Sequence, residues 1–185
     1  KTTNVFDIEN PLYLRKLKLK RFFHYHLTKE ESRRLNFHRF NKKYIRRSRW
    51  KIEENIPQGL GDAYDYFIAG SDQVWNPYLT YCTEANFLTF AEKEKRIAFC
   101  PSIAITDIPA EKRECFKKWI GDFALLSIRE EEGKDIIKKL CGREAEILGD
   151  PTIYLEADQW RKIERKVKVP REGYLLCYFL GNCSE

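Results

Sequence analysis

From about residue 61 onward, short apolar runs alternate with longer amphipathic ones. Five runs read as buried strands by their length and their β-favouring residues: 66–69, 96–100, 123–128, 145–148 and 174–180. Between them lie helical patterns. Pro109 opens one that sets Cys115, Phe116, Trp119 and Ile120 on one face, with Gly121 as its stop. A second follows Arg129. It carries Glu130, Glu131 and Glu132 in its first turn and Lys138 and Lys139 in its last, as the helix dipole favours, and Gly142 closes it. A third is predicted over 157–166, packing Trp160 and Ile163. Strands alternating with helices predict an α/β fold, a Rossmann-like parallel sheet with flanking helices.

The amino-terminal pattern is different. Residues 11–26 predict a helix with leucines at 12, 14, 17 and 19, which do not share one phase. Thr28-Lys29-Glu30-Glu31 is a capping box, in which the Thr hydroxyl takes the Glu31 N–H and the Glu carboxylate reaches back. The helix it opens should bury Leu35, Phe37, Phe40, Tyr44 and Ile45. The predicted organisation is a basic helical segment at 1–60, an α/β domain at 61–170, and at 171–185 the first strand of a further domain.

Charge sharpens that division. The net charge is +6, yet Arg15 to Lys51 holds fifteen Lys and Arg against Glu30 and Glu31. A basic arm therefore precedes a mildly acidic body. Such an arm suits phosphates of an anionic lipid, a lipid-linked sugar or a nucleic acid, or it is simply a solvated face. No RNP motif, zinc finger or helix-turn-helix pattern accompanies it, so no specific nucleic-acid partner is expected. Two solvated amphipathic helices are the plain reading of the arm, and a peripheral membrane contact is the functional one that stands beside it.

Composition excludes other classes. With 185 residues and 43% apolar residues the chain suits a globular protein, and no apolar run approaches the roughly 20 residues that span a bilayer. No signal peptide is visible, and the absence of Met points to a chain that begins inside a longer one or after processing. Six cysteines form no C-x-x-C pair, and Cys100, Cys115, Cys141 and Cys177 stand in apolar surroundings. A reduced, cytoplasmic compartment is expected. His24 and His26 lack the carboxylate or thiolate partners of a metal site, so no metal is expected. The G-x-G at 59–61 precedes a strand instead of following one, which does not fit a dinucleotide fingerprint. No cofactor is expected.

The candidate chemistry sits at the strand ends. The first strand ends in Gly70-Ser71-Asp72-Gln73-Val74-Trp75-Asn76-Pro77, the second in Pro101-Ser102, the third in Arg129, the fourth in Gly149-Asp150-Pro151. One such ending is ordinary turn chemistry. Four on the carboxyl edge of a parallel sheet make a crevice, where open α/β sheets bind ligands.

These residues carry a resemblance. The order Asp65…Gly70-Ser71-Asp72-Gln73-Val74-Trp75-Asn76-Pro77, then Arg96-Ile97-Ala98…Ser102, then Ser127-Ile128-Arg129-Glu130, then Gly149-Asp150-Pro151…Trp160 resembles the polysaccharide pyruvyl transferase family. The resemblance implies two facing Rossmann-like halves in a GT-B-like arrangement, of which this chain carries most of the first. It also implies transfer of the enolpyruvyl group of phosphoenolpyruvate to a sugar hydroxyl, with ketal closure by a second hydroxyl and loss of phosphate. Arg129 would hold the donor's anionic groups, and Asp72 would accept a sugar proton. Ser71, Gln73, Asn76 and Ser102 would bind substrate, Trp75 would stack on a sugar, and the general acid would lie in the other half. An ion pair of Arg129 with Asp72 or Asp150 is the competing structural role. The chain departs from the family in lacking a glycine-rich loop after a first strand, and in having Ala104 where the family often has Gly. Two other functions fit the same residues: a GT-B-like glycosyltransferase with a nucleotide-sugar donor, and a non-catalytic module that binds polyanions or membrane surfaces.

Overall fold

A computed structural model describes residues 10–52, 55–165, 172–175 and 177. The chain divides into two compact units, Lys1–Pro57 and Gln58–Glu185.

The first unit is a helical hairpin. Helix α1 (Pro11–Phe22) starts where the Asn10 side chain accepts the N–H groups of Leu12 and Tyr13 at 3.0 and 3.3 Å. Helix α2 (Lys29–Tyr44) starts with the predicted capping box: Glu31 N–H donates to the Thr28 hydroxyl at 3.1 Å and Thr28 N–H to the Glu31 carboxylate at 3.0 Å. The helices bury Leu14 and Leu17 against Leu35. The mixed phase of the leucines follows from this: 14 and 17 face inward, while Leu12 and Leu19 are exposed. The apolar face expected of α2 is corrected, because Phe37, Phe40, Tyr44 and Ile45 are all exposed and Leu35 alone is buried.

The second unit is an α/β fold. Strands β1 (Phe67–Ala69), β2 (Arg96–Ala98), β3 (Leu125–Ile128) and β4 (Glu146–Ile147) pair in sequence order, every pair parallel. Helix α3 (Arg113–Gly121) links β2 to β3, and α4 (Glu131–Cys141) links β3 to β4. Helix α4 ends as predicted, with Gly142 as its left-handed cap. The expected helix over 157–166 is shorter, α5 (Ala157–Arg161). Between β1 and β2 the chain has no α-helix, only 3-10 turns such as Glu84–Phe87. The strand order does not reverse among the described strands, so the crevice rests on the carboxyl edge itself and not on a switch point. Of the fifth predicted strand, residues 174, 175 and 177 carry no strand and the rest lies outside the described residues.

The core lies between the sheet and helices α3 and α4. In register, Ala69, Ala98 and Leu126 form the inward row, while Ile68, Ile97 and Leu125 form the outward one, its two ends exposed. Helix α3 contributes Phe116 and Ile120, and α4 contributes Ile136 and Ile137. Arg96, buried at the start of β2, secures the preceding loop. Its Nε donates to the Ala91 carbonyl at 2.7 Å and its Nη2 to the Thr89 carbonyl at 3.1 Å. That satisfies a buried cation with backbone acceptors.

Candidate active site

Four strand ends bring residues 70–73, 99–102, 129–130 and 149–150 to one edge of the sheet. The first two are stitched together by backbone. Gly70, at φ +144°, lies so close to β2 that a Cβ there would stand 1.9 Å from the Phe99 carbonyl oxygen. The Asp72 carbonyl then accepts from Val74 N–H and Ser102 N–H, both at 2.8 Å, and Trp75 N–H donates to the Ser102 carbonyl at 3.2 Å. This fold-back aims Asp72, at φ +60°, out toward solvent and Trp75 into the core.

At the third strand end Ser127 ties β2 to β3. Its hydroxyl donates to the Ala98 carbonyl at 2.7 Å and accepts from Cys100 N–H at 2.9 Å. Arg129 follows, with its N–H on the Pro101 carbonyl at 3.1 Å. Its guanidinium lies between two carboxylates: Nη2 is 2.8 Å from Asp150 Oδ2, and Nη1 is 3.9 Å from Asp72 Oδ1. The near contact is close but out of line, so Nε and Nη2 are both buried without a hydrogen-bond partner. Nε therefore has no partner, Nη2 keeps its ion pair with Asp150 alone, and Nη1, 3.9 Å from Asp72, is the loosely paired part of the guanidinium, the group that binds carboxylates and phosphates.

Asp150 is the most firmly held group in the crevice. Its Oδ1 accepts from Thr152 N–H at 2.9 Å and the Thr152 hydroxyl at 2.7 Å, and its Oδ2 accepts from the Ser71 hydroxyl at 3.1 Å. The Thr152 bonds, then Ser71 and Arg129, hold its carboxyl below the ordinary carboxylate value. Nearby, burial pushes the Cys100 thiol up, opposed by the Arg129 cation. The carboxylate of Glu130, the residue after Arg129, is engaged by the loop that follows β2. Its Oε1 accepts from Ile103 N–H, Ala104 N–H and the Ser102 hydroxyl at 2.7, 2.9 and 3.2 Å.

The structure therefore sorts the expected site residues. Ser71, Asp72 and Arg129 come together with Asp150, and the ion pair expected as the competing structural role of Arg129 is present with Asp150 at 2.8 Å. Trp75 does not stack on a sugar. It is fully buried, 5.0 Å from and nearly parallel to Phe87, and its Nε1–H donates to the Asn86 carbonyl at 3.0 Å. Asn76 is likewise buried, donating to Gln73 Oε1 at 2.9 Å and accepting from Tyr78 N–H at 3.0 Å, so it shapes the loop and does not face substrate. Ser102 is buried with its hydroxyl on Glu130, which removes it from the substrate surface. Gln73 stays at the exposed rim. Among the described residues no group of His, Cys, Asp or Glu could hold a metal ion.

A family model described as polysaccharide pyruvyl transferase matches residues 11–180. The chain belongs to the polysaccharide pyruvyl transferase family. No curated protein and no solved structure gave a match. Membership makes the chain part of a transferase family whose general activity is pyruvyl transfer to a polysaccharide acceptor. Within this family member, the edge that gathers Ser71, Asp72, Arg129 and Asp150 is the place where polar side chains from β1, β3 and β4 meet.

Proposed function

We propose that the crevice binds phosphoenolpyruvate through Arg129 and transfers its pyruvyl group to a sugar of a cell-surface polysaccharide as a ketal. The observation that carries this is the Arg129 guanidinium at the carboxyl edge of the sheet, held 2.8 Å from a fixed Asp150 through Nη2 and only loosely paired with Asp72 through Nη1. A guanidinium with one side loosely paired is the group that an incoming carboxylate or phosphate engages. Asp72 is the displaceable carboxylate. Its side chain is 83% exposed and its contact with Arg129 is long, so an incoming anion replaces little.

In the reaction, the methylene carbon of the donor takes a proton while C2 accepts the first sugar oxygen. The C2–O bond to phosphate then breaks, phosphate leaves with the bonding pair, and the second sugar oxygen closes the ring as it loses its proton. Asp72 accepts a sugar proton, Ser71 and Gln73 orient hydroxyls, and Arg129 holds the donor. The proton for carbon comes from outside these residues, from a second half facing the crevice in a GT-B-like arrangement. The setting is cytoplasmic, with the acceptor sugar on a lipid at the inner face of the membrane, for which the basic amino-terminal unit is the support.

The test is phosphate release from phosphoenolpyruvate by the full-length protein in the presence of acceptor. Arg129→Ala should raise the apparent KM for phosphoenolpyruvate at least tenfold, and Asp72→Asn should lower kcat by about 10²–10⁴, the usual worth of a general base. An unchanged KM removes Arg129 from the donor site. Near-normal turnover leaves Asp72 as a turn residue.

A further inference from the structure

The helical hairpin buries little and exposes much. Leu14, Leu17 and Leu35 are its buried residues, whereas Leu12, Leu19, Phe22, Phe23 and Tyr25 are each half-exposed or more. Along α1 and its cap, positions 12, 15, 16, 19 and 23 follow one another at steps of one, three and four, so they lie on one side of the helix. That stripe reads Leu12, Arg15, Lys16, Leu19, Phe23: apolar side chains with cations between them. They line a shallow hollow of about 350 Å³ together with Lys20 and Tyr25. The Phe22 and Phe23 rings meet edge to face at 5.2 Å at its end.

The unit's charge says what such a stripe fits. Among its described residues the acidic side chains are Glu30 and Glu31, and both are already engaged. Glu31 pairs with Lys20 at 2.7 Å and Glu30 with Arg34 at 2.7 Å. Arg15, Lys16 and Arg21 stand exposed on α1, so the outward field of this helix is positive. A nucleic acid would reward the cations and offer bases to Phe23 and Tyr25, but it would leave Leu12 and Leu19 in water. A wholly apolar partner would reward the leucines but not the cations. An anionic bilayer surface rewards both, with headgroup phosphates on the cations and the acyl boundary for Leu12, Leu19 and Phe23.

We propose that this stripe of α1 is a docking surface for the surface of an anionic phospholipid bilayer. Arg15 and Lys16 sit at the headgroups and Leu12, Leu19 and Phe23 enter the acyl boundary. The helix lies along the interface, since no helix among the described residues is long and apolar enough to cross a membrane. The surface belongs to a different unit from the crevice, and its failure would leave the donor chemistry standing.

The experiment is co-sedimentation of the full-length protein with vesicles of phosphatidylcholine, with and without about 30% phosphatidylserine, the anionic lipid of cytoplasmic leaflets. Pelleting with the anionic vesicles, little with the neutral ones, and release as salt rises are the expected results. Arg15→Glu/Lys16→Glu should weaken binding at least tenfold, and Leu19→Ser/Phe23→Ser should do so at unchanged charge. All four side chains are exposed, so circular dichroism and Tm should match the parent. Binding that ignores Leu19→Ser/Phe23→Ser would overturn the proposal in favour of a simple polycation. Absence of vesicle binding, equal binding to neutral vesicles, or capture by heparin without capture by vesicles would overturn it as well.

Discussion

Asp150 shows how one side chain can serve architecture and chemistry together. Thr152 fixes one of its oxygens, Ser71 the other, and the second oxygen also faces Arg129. Its carboxyl is held below its ordinary value of 3.8. A carboxylate with a depressed folded pKa contributes stability that is fully present above its unfolded value and is lost as pH falls through the folded value. Urea unfolding should therefore show Thr152→Val less stable than the parent at neutral pH, with the gap closing in acid below pH 3.8. A gap that persists in strong acid would mean that the Thr hydroxyl acts through packing and not through Asp150. Trp75 marks the opposite case. A tryptophan among Ser, Asp, Gln and Asn looks like the wall of a binding site, because local polarity is all that a sequence window offers. The backbone bonds that fold the loop back, from Val74 and Ser102 to the Asp72 carbonyl, turn it inward onto Phe87 and Phe123. Trp75→Ala should accordingly cost about 3–5 kcal/mol of stability, as large-to-small core changes do, and be read first as a loss of Tm.

At the scale of elements, periodicity and punctuation carried most of the second unit. Apolar run length located β1 to β4, and Gly142 and the acidic first turn located α4. What periodicity could not supply was which apolar residues share a neighbour. The four leucines of α1 divide between two faces, and the aromatic stripe of α2 stays outside, because the described residues of the hairpin close on one small cluster of Leu14, Leu17 and Leu35 edged by Tyr13 and Leu27. The segment after β2 shows how a backbone demand can contradict the residue present. Ala104 stands at φ +54°, held there as its N–H and that of Ile103 converge on the Glu130 carboxylate. A left-handed conformation costs an L-residue about 1–2 kcal/mol and glycine little, so this backbone position suits Gly better than the Ala present. Ala104→Gly should therefore be close to neutral or stabilising by up to about 1 kcal/mol, the relief being partly offset by the greater freedom of unfolded glycine. Gly70→Ala is the counterpart. Its Cβ would meet the Phe99 carbonyl, and the loss should be at least about 3 kcal/mol, among the largest single-residue effects.

At the scale of the molecule, binding and stability become one measurement. A ligand that binds the folded state alone stabilises it by about 2.7 kcal/mol at one hundred times its Kd. For a domain of this size each kcal/mol moves Tm by about 2–4 °C, so saturating phosphoenolpyruvate should raise Tm by about 5–10 °C. The side chains supply the controls. Arg129→Ala removes the cation that faces Asp72 and Asp150 and should abolish the shift, whatever it does to the unliganded Tm. Asp72→Asn removes a competing carboxylate at 3.9 Å and should leave the shift intact or enlarge it, even while turnover collapses. That opposite pair of responses, binding kept and catalysis lost at position 72 against binding lost at position 129, is what separates a base from an anion clamp. A shift with a nucleotide sugar and none with phosphoenolpyruvate would instead reassign the donor, and loss of that shift in Arg129→Ala would keep the crevice beside Asp150 as the place where it binds.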